Sequence, residues 1–193
     1  MRFDQKNKNQ VKVIAGKYRG RNIYFREHKG LRPTKAILRE TVFNWLAPHI
    51  TEKVCLDLFA GTGVMLIEAL SRGANGGIAV DNNPVSKELI QENIKTLELD
   101  LEVICQSAED FIQSHNLSHF DIIFVDPPYE HDLSIIDILS AAELKKGMKL
   151  ILERPSINFI NEINTVSQRY DGVFKLIKQK TFGSSSCAIL EKQ

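Results

Sequence analysis

Five short apolar runs, at residues 54–58, 78–80, 101–105, 121–125 and 148–152, alternate with segments of helical periodicity, and this rhythm constrains the fold more than any other feature. Helical patterns follow the first run at 64–72, closed by Gly73, the second at 83–97, and the fourth at 135–144. Asn83-Pro84 is a start signal, because asparagine caps free amides and proline is tolerated in the first helical turn. Alternation at this pitch implies a parallel sheet with helices on both faces. Towards the end the rhythm breaks. Two strand-like runs, 173–182 and 187–190, are joined by Gly183-Ser184-Ser185-Ser186, which implies an antiparallel hairpin at one sheet edge.

With 193 residues, 43% of them hydrophobic, the chain can bury one α/β core and carry a small appendage. Cys55, Cys105 and Cys187 are odd in number, widely spaced and set in apolar runs, so they read as core thiols rather than as a disulfide framework or a metal cluster. No apolar stretch approaches the roughly 18 residues of a membrane span, and no secretory leader opens the chain, so a cytoplasmic protein is expected.

The net charge of +1 hides a division. Residues 1–39 hold twelve Lys or Arg against Asp4 and Glu27, a local +10 that leaves −9 for the rest. Residues 1–10 read as a solvated tail. Beyond them basic and apolar residues alternate, so that Val11, Val13, Ile14, Tyr18, Ile23, Tyr24 and Phe25 can anchor a small hairpin, turning at Gly16 and Gly20, while Lys12, Lys17, Arg19 and Arg21 project outward. Such a platform suits a polyanion. After it, Pro33-Thr34 looks like a helix start with Thr34 as cap, and Leu38, Val42, Trp45 and Leu46 share one helical face. The expected division is a basic hairpin extension at 1–33 and a catalytic domain at 34–193.

Two motifs sit where apolar runs end: Asp57-Leu58-Phe59-Ala60-Gly61-Thr62-Gly63 and, about 65 residues beyond Gly61, Asp126-Pro127-Pro128-Tyr129. In a parallel sheet both would lie at the carboxyl edge, where open α/β folds bind ligands. The glycine turn lets backbone approach a ligand closely. A dinucleotide fold would place a third glycine where Leu66 stands, and Asp57 at the mouth suits a ligand bearing an ammonium and a sulfonium better than one bearing phosphates. Asp81 ends the second run, where a carboxylate can accept both hydroxyls of a ribose. Gln106-Ser107-Ala108-Glu109-Asp110 follows the third, where a polar side chain can bond an adenine edge, although Glu109 and Asp110 can equally serve a helix start. This order of groups fits S-adenosylmethionine, with Asp57, Phe59, Ala60, Gly61, Gly63, Asp81, Asn82, Ala108 and Glu109 as candidate contacts.

The second motif supplies candidate catalytic residues. Two prolines fix the backbone and remove amide donors, leaving the Asp126 carboxylate and nearby carbonyls to accept the N–H groups of an exocyclic amine while Tyr129 stacks on the base. Stacking contributes about 1–3 kcal/mol, comparable to the few kcal/mol lost when a base leaves its stack. Positioning would carry much of the rate, with Asp126 available for the proton.

With these residues in view, the chain resembles the bacterial 16S ribosomal RNA guanine-N2 methyltransferases, Rossmann-like class I S-adenosylmethionine enzymes. The likeness runs from about Val13 to Leu190 and includes Gly16-Lys17-Tyr18-Arg19-Gly20-Arg21, Leu31-Arg32-Pro33-Thr34, Arg39-Glu40-Thr41-Val42-Phe43-Asn44-Trp45-Leu46, Glu68-Ala69-Leu70-Ser71-Arg72-Gly73-Ala74 and the two motifs above. It implies a seven-stranded, mostly parallel sheet with the last strand inserted antiparallel. It also implies methylation of one guanine N2 in 16S rRNA, within an assembling 30S particle, by a monomer that needs no metal or membrane. Asp81 stands where glutamate is commoner and Thr62 where serine is commoner, and either keeps its hydrogen bond. RNA contacts are expected at Lys12, Lys17, Arg19, Arg21, Arg32 and Lys35, while Arg39 could touch RNA or brace its helix. An adenine-N6 methyltransferase and a non-catalytic ribosome-assembly protein stay open as alternatives.

Overall fold

The structure, a computed structural model, describes residues 9–26, 35–128, 134–157 and 159–193. Strands β1 (Asn9–Lys12) and β2 (Asn22–Phe25) form the expected antiparallel hairpin. The remaining elements run α1 (Ala36–Leu46), β3 (Val54–Asp57), α2 (Val64–Ser71), β4 (Gly76–Asp81), α3 (Pro84–Leu97), β5 (Glu102–Cys105), α4 (Ala108–Ser114), β6 (Ile122–Val125), α5 (Ser134–Ala141), β7 (Lys149–Pro155), α6 (Phe159–Arg169), β8 (Phe174–Phe182) and β9 (Ser185–Lys192). Seven strands form one sheet in the order β5-β4-β3-β6-β7-β9-β8, with β9 antiparallel to both β7 and β8. The terminal hairpin therefore inserts its last strand into the sheet and leaves β8 at the edge.

Residue alternation explains the layers. Cys55, Ile122, Phe124, Ile151 and Ile189 face one core with Leu38 and Val42 of α1, Leu66 of α2 and Ile90 of α3. Their neighbours Leu56, Ile123, Val125, Leu150 and Leu152 face the other, with Phe111 of α4, Ile136 of α5 and Ile163 of α6. Burial on both faces gives β6 its continuous Ile122-Ile123-Phe124-Val125 run, as parallel strands require. Chain order reverses between β3 and β6: the sheet grows outward through β4 and β5 on one side and through β7 on the other. That switch point leaves a crevice at the carboxyl ends of two adjacent strands.

Several expectations change. The first helix begins at Ala36, with Lys35 rather than Thr34 in the cap position and no side-chain cap; Thr34 lies outside the described residues. Ser185 and Ser186, expected in the turn, are buried strand residues of β9. Cys105 is exposed at the end of β5, whereas Cys55 and Cys187 are core thiols as expected. Helix α6 was not expected, although Phe159, Ile163 and Val166 stand at i, i+4 and i+7 and form the stripe that faces the core. At α3 the start signal reads true, with Asn83 Oδ1 accepting the Val85 amide at 2.9 Å and Pro84 leading the helix.

The basic hairpin is welded to the domain through side chains of α2 and α3. Fully buried Glu68 accepts the amides of Ile14 (2.8 Å) and Ala15 (3.0 Å) and the Arg72 Nε (2.9 Å). Asn93 accepts the Tyr24 amide at 3.0 Å and donates to the Tyr24 carbonyl at 2.8 Å, completing a strand-like pair. Ser71 accepts the Tyr18 amide and donates to the Ala15 carbonyl. At Gly16, with φ of 81°, an added Cβ would lie 1.8 Å from the Ser71 carbonyl oxygen, so only glycine permits this approach. Arg39 is buried and donates to the Lys12 carbonyl at 3.1 Å, so it braces the hairpin against α1.

Candidate functional site

Asp57, Asp81 and Asp126 end or directly follow β3, β4 and β6, which are adjacent and parallel in the order β4-β3-β6. All three therefore lie on one edge of the sheet, Asp57 and Asp126 flanking the switch point. The two sequence motifs open on the same side.

Between β3 and α2 the chain turns through Gly61 (φ 52°) and Gly63 (φ 73°), both left-handed. Asp81 organises the turn from the neighbouring strand: its Oδ2 accepts the Gly61 amide at 2.7 Å and its Oδ1 accepts the Asn83 amide at 2.8 Å. Each oxygen retains acceptor capacity towards the crevice. The Ala60 amide donates to the Val80 carbonyl at 2.9 Å and the Leu58 amide to the Phe124 carbonyl at 3.1 Å, tying the loop to both flanking strands. Phe59 and Gly61 remain partly exposed, Ala60 and Gly63 are buried, and Asn82 is exposed just past Asp81. A Cβ on Gly63 would come within 3.0 Å of Ile90, so this turn packs directly on α3.

Asp57 is not an open acid at the mouth, as the sequence suggested, but a buried floor beneath the turn, 2% exposed and accepting the Phe59 amide at 3.2 Å. Burial pushes its carboxyl up to about 7, the Phe59 hydrogen bond opposing the rise and the nearby Asp81 charge adding to it. On the far side, Ser107 rather than an acid caps α4, its Oγ accepting the Asp110 amide at 3.1 Å. Glu109 and Asp110 fall in the first turn of α4, and Ala108 is buried.

Asp126 is half-buried beyond the end of β6, Pro127 is buried and Pro128 exposed; Tyr129 lies outside the described residues, as does Arg32. The register Val125↔Leu152 brings Asp126 level with Glu153 of β7, so the two carboxyls are neighbours. Burial first, then the Glu153 and Asp57 charges, raise Asp126 well above the usual carboxylate range, against the pull of Arg154. Glu153 went unnoticed in the sequence, although it directly follows the apolar run Leu150-Ile151-Leu152 as Asp126 follows Ile122–Val125. Among the candidate RNA contacts, Lys12, Lys17, Arg19, Arg21 and Lys35 are all exposed. The Lys17 amide donates to the Ser71 carbonyl at 2.7 Å, which puts the hairpin tip at the opposite end of α2 from Gly63. An eight-residue helix separates them, about 12 Å.

Comparison with known proteins agrees with this geometry. Ribosomal RNA small subunit methyltransferase D of Haemophilus influenzae is 41% identical over 131 residues, 66% of this chain and 68% of that protein. The protein of the same name from Escherichia coli K12 is 42% identical over 126 residues, 64% of this chain and 63% of its own length. The solved yhhF structure from Escherichia coli superposes with a TM-score of 0.79 at 30% identity, covering 96% of this chain and 99% of its own. A family described as conserved hypothetical protein 95 matches residues 11–191, and the chain belongs to that family.

Proposed function

We propose that this protein transfers the methyl group of S-adenosylmethionine to the exocyclic N2 amine of a guanine in 16S ribosomal RNA, on an assembling 30S particle. The observation that carries the reading is the carboxyl edge on which the glycine turn, Asp81 and Asp126 meet at the switch point, in a chain whose relatives are named as small-subunit rRNA methyltransferases. The donor set fits the cofactor: Asp81 offers two carboxylate oxygens to ribose hydroxyls, and Ala60, Gly61 and Gly63 have little or no side chain to hold a ligand off. When bound, the cofactor supplies an electrophilic methyl on a sulfonium.

The protein's part is to hold the amine. Its lone pair is delocalised into the purine ring, so the carboxyl and carbonyls at Asp126-Pro127 turn the nitrogen out of conjugation and towards the methyl. With the donor bound, the carboxyl pair Asp126–Glu153 would receive the proton that the amine gives up on methylation. The basic extension, residues 1–33, gives RNA a platform on the domain formed by 34–193.

Labelled donor supplied with 30S particles and, separately, with naked DNA tests the reading. Label in the small-subunit RNA is expected, and label only in DNA adenine would overturn the substrate. Isothermal titration with S-adenosylmethionine should show binding by the isolated chain.

Asp57 adds a pH dependence. Its folded value near 7 exceeds the ordinary carboxylate value, so its ionisation costs stability progressively as pH rises from about 4 through about 7. A cationic ligand favours the ionised form. Donor affinity should therefore rise between about pH 6 and pH 8, and Asp57→Asn should flatten that rise. An equally steep profile in the variant would remove Asp57 from donor binding.

For the platform, Arg19→Ala with Arg21→Ala should weaken RNA binding and flatten its salt dependence by about 0.7–0.9 in log–log slope for each phosphate no longer neutralised. Filter binding across a salt series reads this directly, and an unchanged slope would move the platform elsewhere.

A further inference from the structure

We infer that edge strand β8 and helix α1 form a second RNA-contacting ledge, level with the Asp126 carboxyl, that takes the single-stranded nucleotides flanking the target base; this rests on the function proposed above. Register fixes the level. Lys180 pairs with Cys187 of β9, Cys187 pairs with Glu153 of β7, and the register Val125↔Leu152 sets Glu153 level with Asp126. Lys180 thus stands three strand spacings from Asp126 along one row, about 14 Å. The antiparallel insertion of β9 matters here, because it brings the β8–β9 turn to the same sheet edge as the ends of β3, β4, β6 and β7: Pro155 pairs with Ser185, which pairs with Phe182.

The ledge has the chemistry of a single-strand track. Strand β8, Phe-Lys-Leu-Ile-Lys-Gln-Lys-Thr-Phe, carries three exposed lysines and no acid. Lys178 Nζ lies 6.0 Å from the centre of the Trp45 ring and Lys180 Nζ lies 4.9 Å from that of Phe182. Both aromatics are only partly buried, and Lys35 Nζ donates to Ser184 Oγ at 2.9 Å at the top of the ledge. Cations for phosphates interleaved with rings for bases is how sequence-tolerant single-strand binding works. Lysines also guard sheet edges against pairing with other chains, but that role does not call for partly exposed rings beneath them, nor for a position beside the candidate site. The hairpin tip is bonded to Ser71 at the far end of α2, away from the sheet edge that carries Asp126, whereas the β8–β9 turn lies on that edge.

The test uses the full chain carrying Lys178→Ala and Lys180→Ala, beside a control that removes the same charge from exposed lysines outside β8, Lys95→Ala with Lys146→Ala. Steady-state methylation of small-subunit particles is measured across a salt series, with donor affinity, melting temperature and oligomeric state followed in parallel. The ledge variant should show a raised KM for the particle and a log–log salt slope shallower by about 1.5, from roughly 0.7–0.9 for each of two phosphates. Its donor affinity, melting temperature and oligomeric state should match the wild type, and the control pair should show neither kinetic change. Equal effects in the two pairs, no effect in either, or a changed oligomeric state with an unchanged KM would overturn the ledge alone. Failure of the wild-type chain to methylate the particle would sink the underlying function, and the ledge with it.

Discussion

Asp126→Ala should lower the rate of methyl transfer by about 10²–10⁴-fold, the range for loss of a positioned acid–base group, while donor affinity stays within a few-fold of wild type. The asymmetry follows from position. Asp126 follows β6 and neighbours Glu153 on its outer side, whereas the donor contacts proposed at Asp57, Gly61 and Asp81 hang on β3 and β4. Removing the carboxyl leaves the Asp81–Gly61 hydrogen bond in place but takes away the group proposed to grip the amine and to receive its proton. The rate in the wild type should also climb with pH, since burial and the adjacent acids hold the Asp126 proton above the usual carboxylate range. Single-turnover kinetics with saturating donor separates the chemical step from binding. Turnover at the wild-type rate would remove Asp126 from the chemistry.

Glu68→Gln should produce the largest loss of stability of any single change at the hairpin junction, about 3–5 kcal/mol, the cost of breaking a buried ion pair on one side. Glu68 is fully buried and its two oxygens serve the Ile14 amide, the Ala15 amide and the Arg72 guanidinium. The amide has one acceptor oxygen where the carboxylate had two, so at least one of these donors is left without its partner. Arg39 lies in the same buried neighbourhood, where the Glu68 charge supports its guanidinium against desolvation. At about 2–4 °C per kcal/mol for a chain of this size, the melting temperature should fall by roughly 10 °C. Hydrogen exchange should localise the loss to residues 11–25. A change of under a degree would mean that the hairpin is held by its apolar contacts, Val13 and Ile23 against Val64 and Ile67, rather than by this carboxylate.

What could be read from the sequence is what local chemistry dictates. Strand and helix boundaries in the central sheet came from periodicity, and the α3 start came from Asn83-Pro84, because both signals act over a few residues. Glu153 was missed because its role depends on which strands are neighbours: it matters only once β7 lies beside β6 in the register that sets it against Asp126. Glu68 and Ser71 stood inside a motif of the resemblance without any stated role, and Asn93 read as an ordinary polar residue of a helix. Their work is to bond backbone some 50 to 70 residues away, a distance at which no pattern in the chain points. The burial of Asp57 has the same cause, since a residue at a strand end is open or covered according to how the following loop folds back. Lys178 and Lys180 read as ordinary polar strand residues until the insertion of β9 set them level with the site.

The central claim is that donor methyl and acceptor amine meet in one crevice at the carboxyl edge of β4, β3 and β6. A crystal structure with S-adenosylhomocysteine tests it most directly. The ribose hydroxyls should lie on Asp81, the ligand should pack against the backbone of Ala60-Gly61, and its sulfur should face Asp126. A ligand whose ribose avoids Asp81, or whose sulfur points away from Asp126, would contradict it.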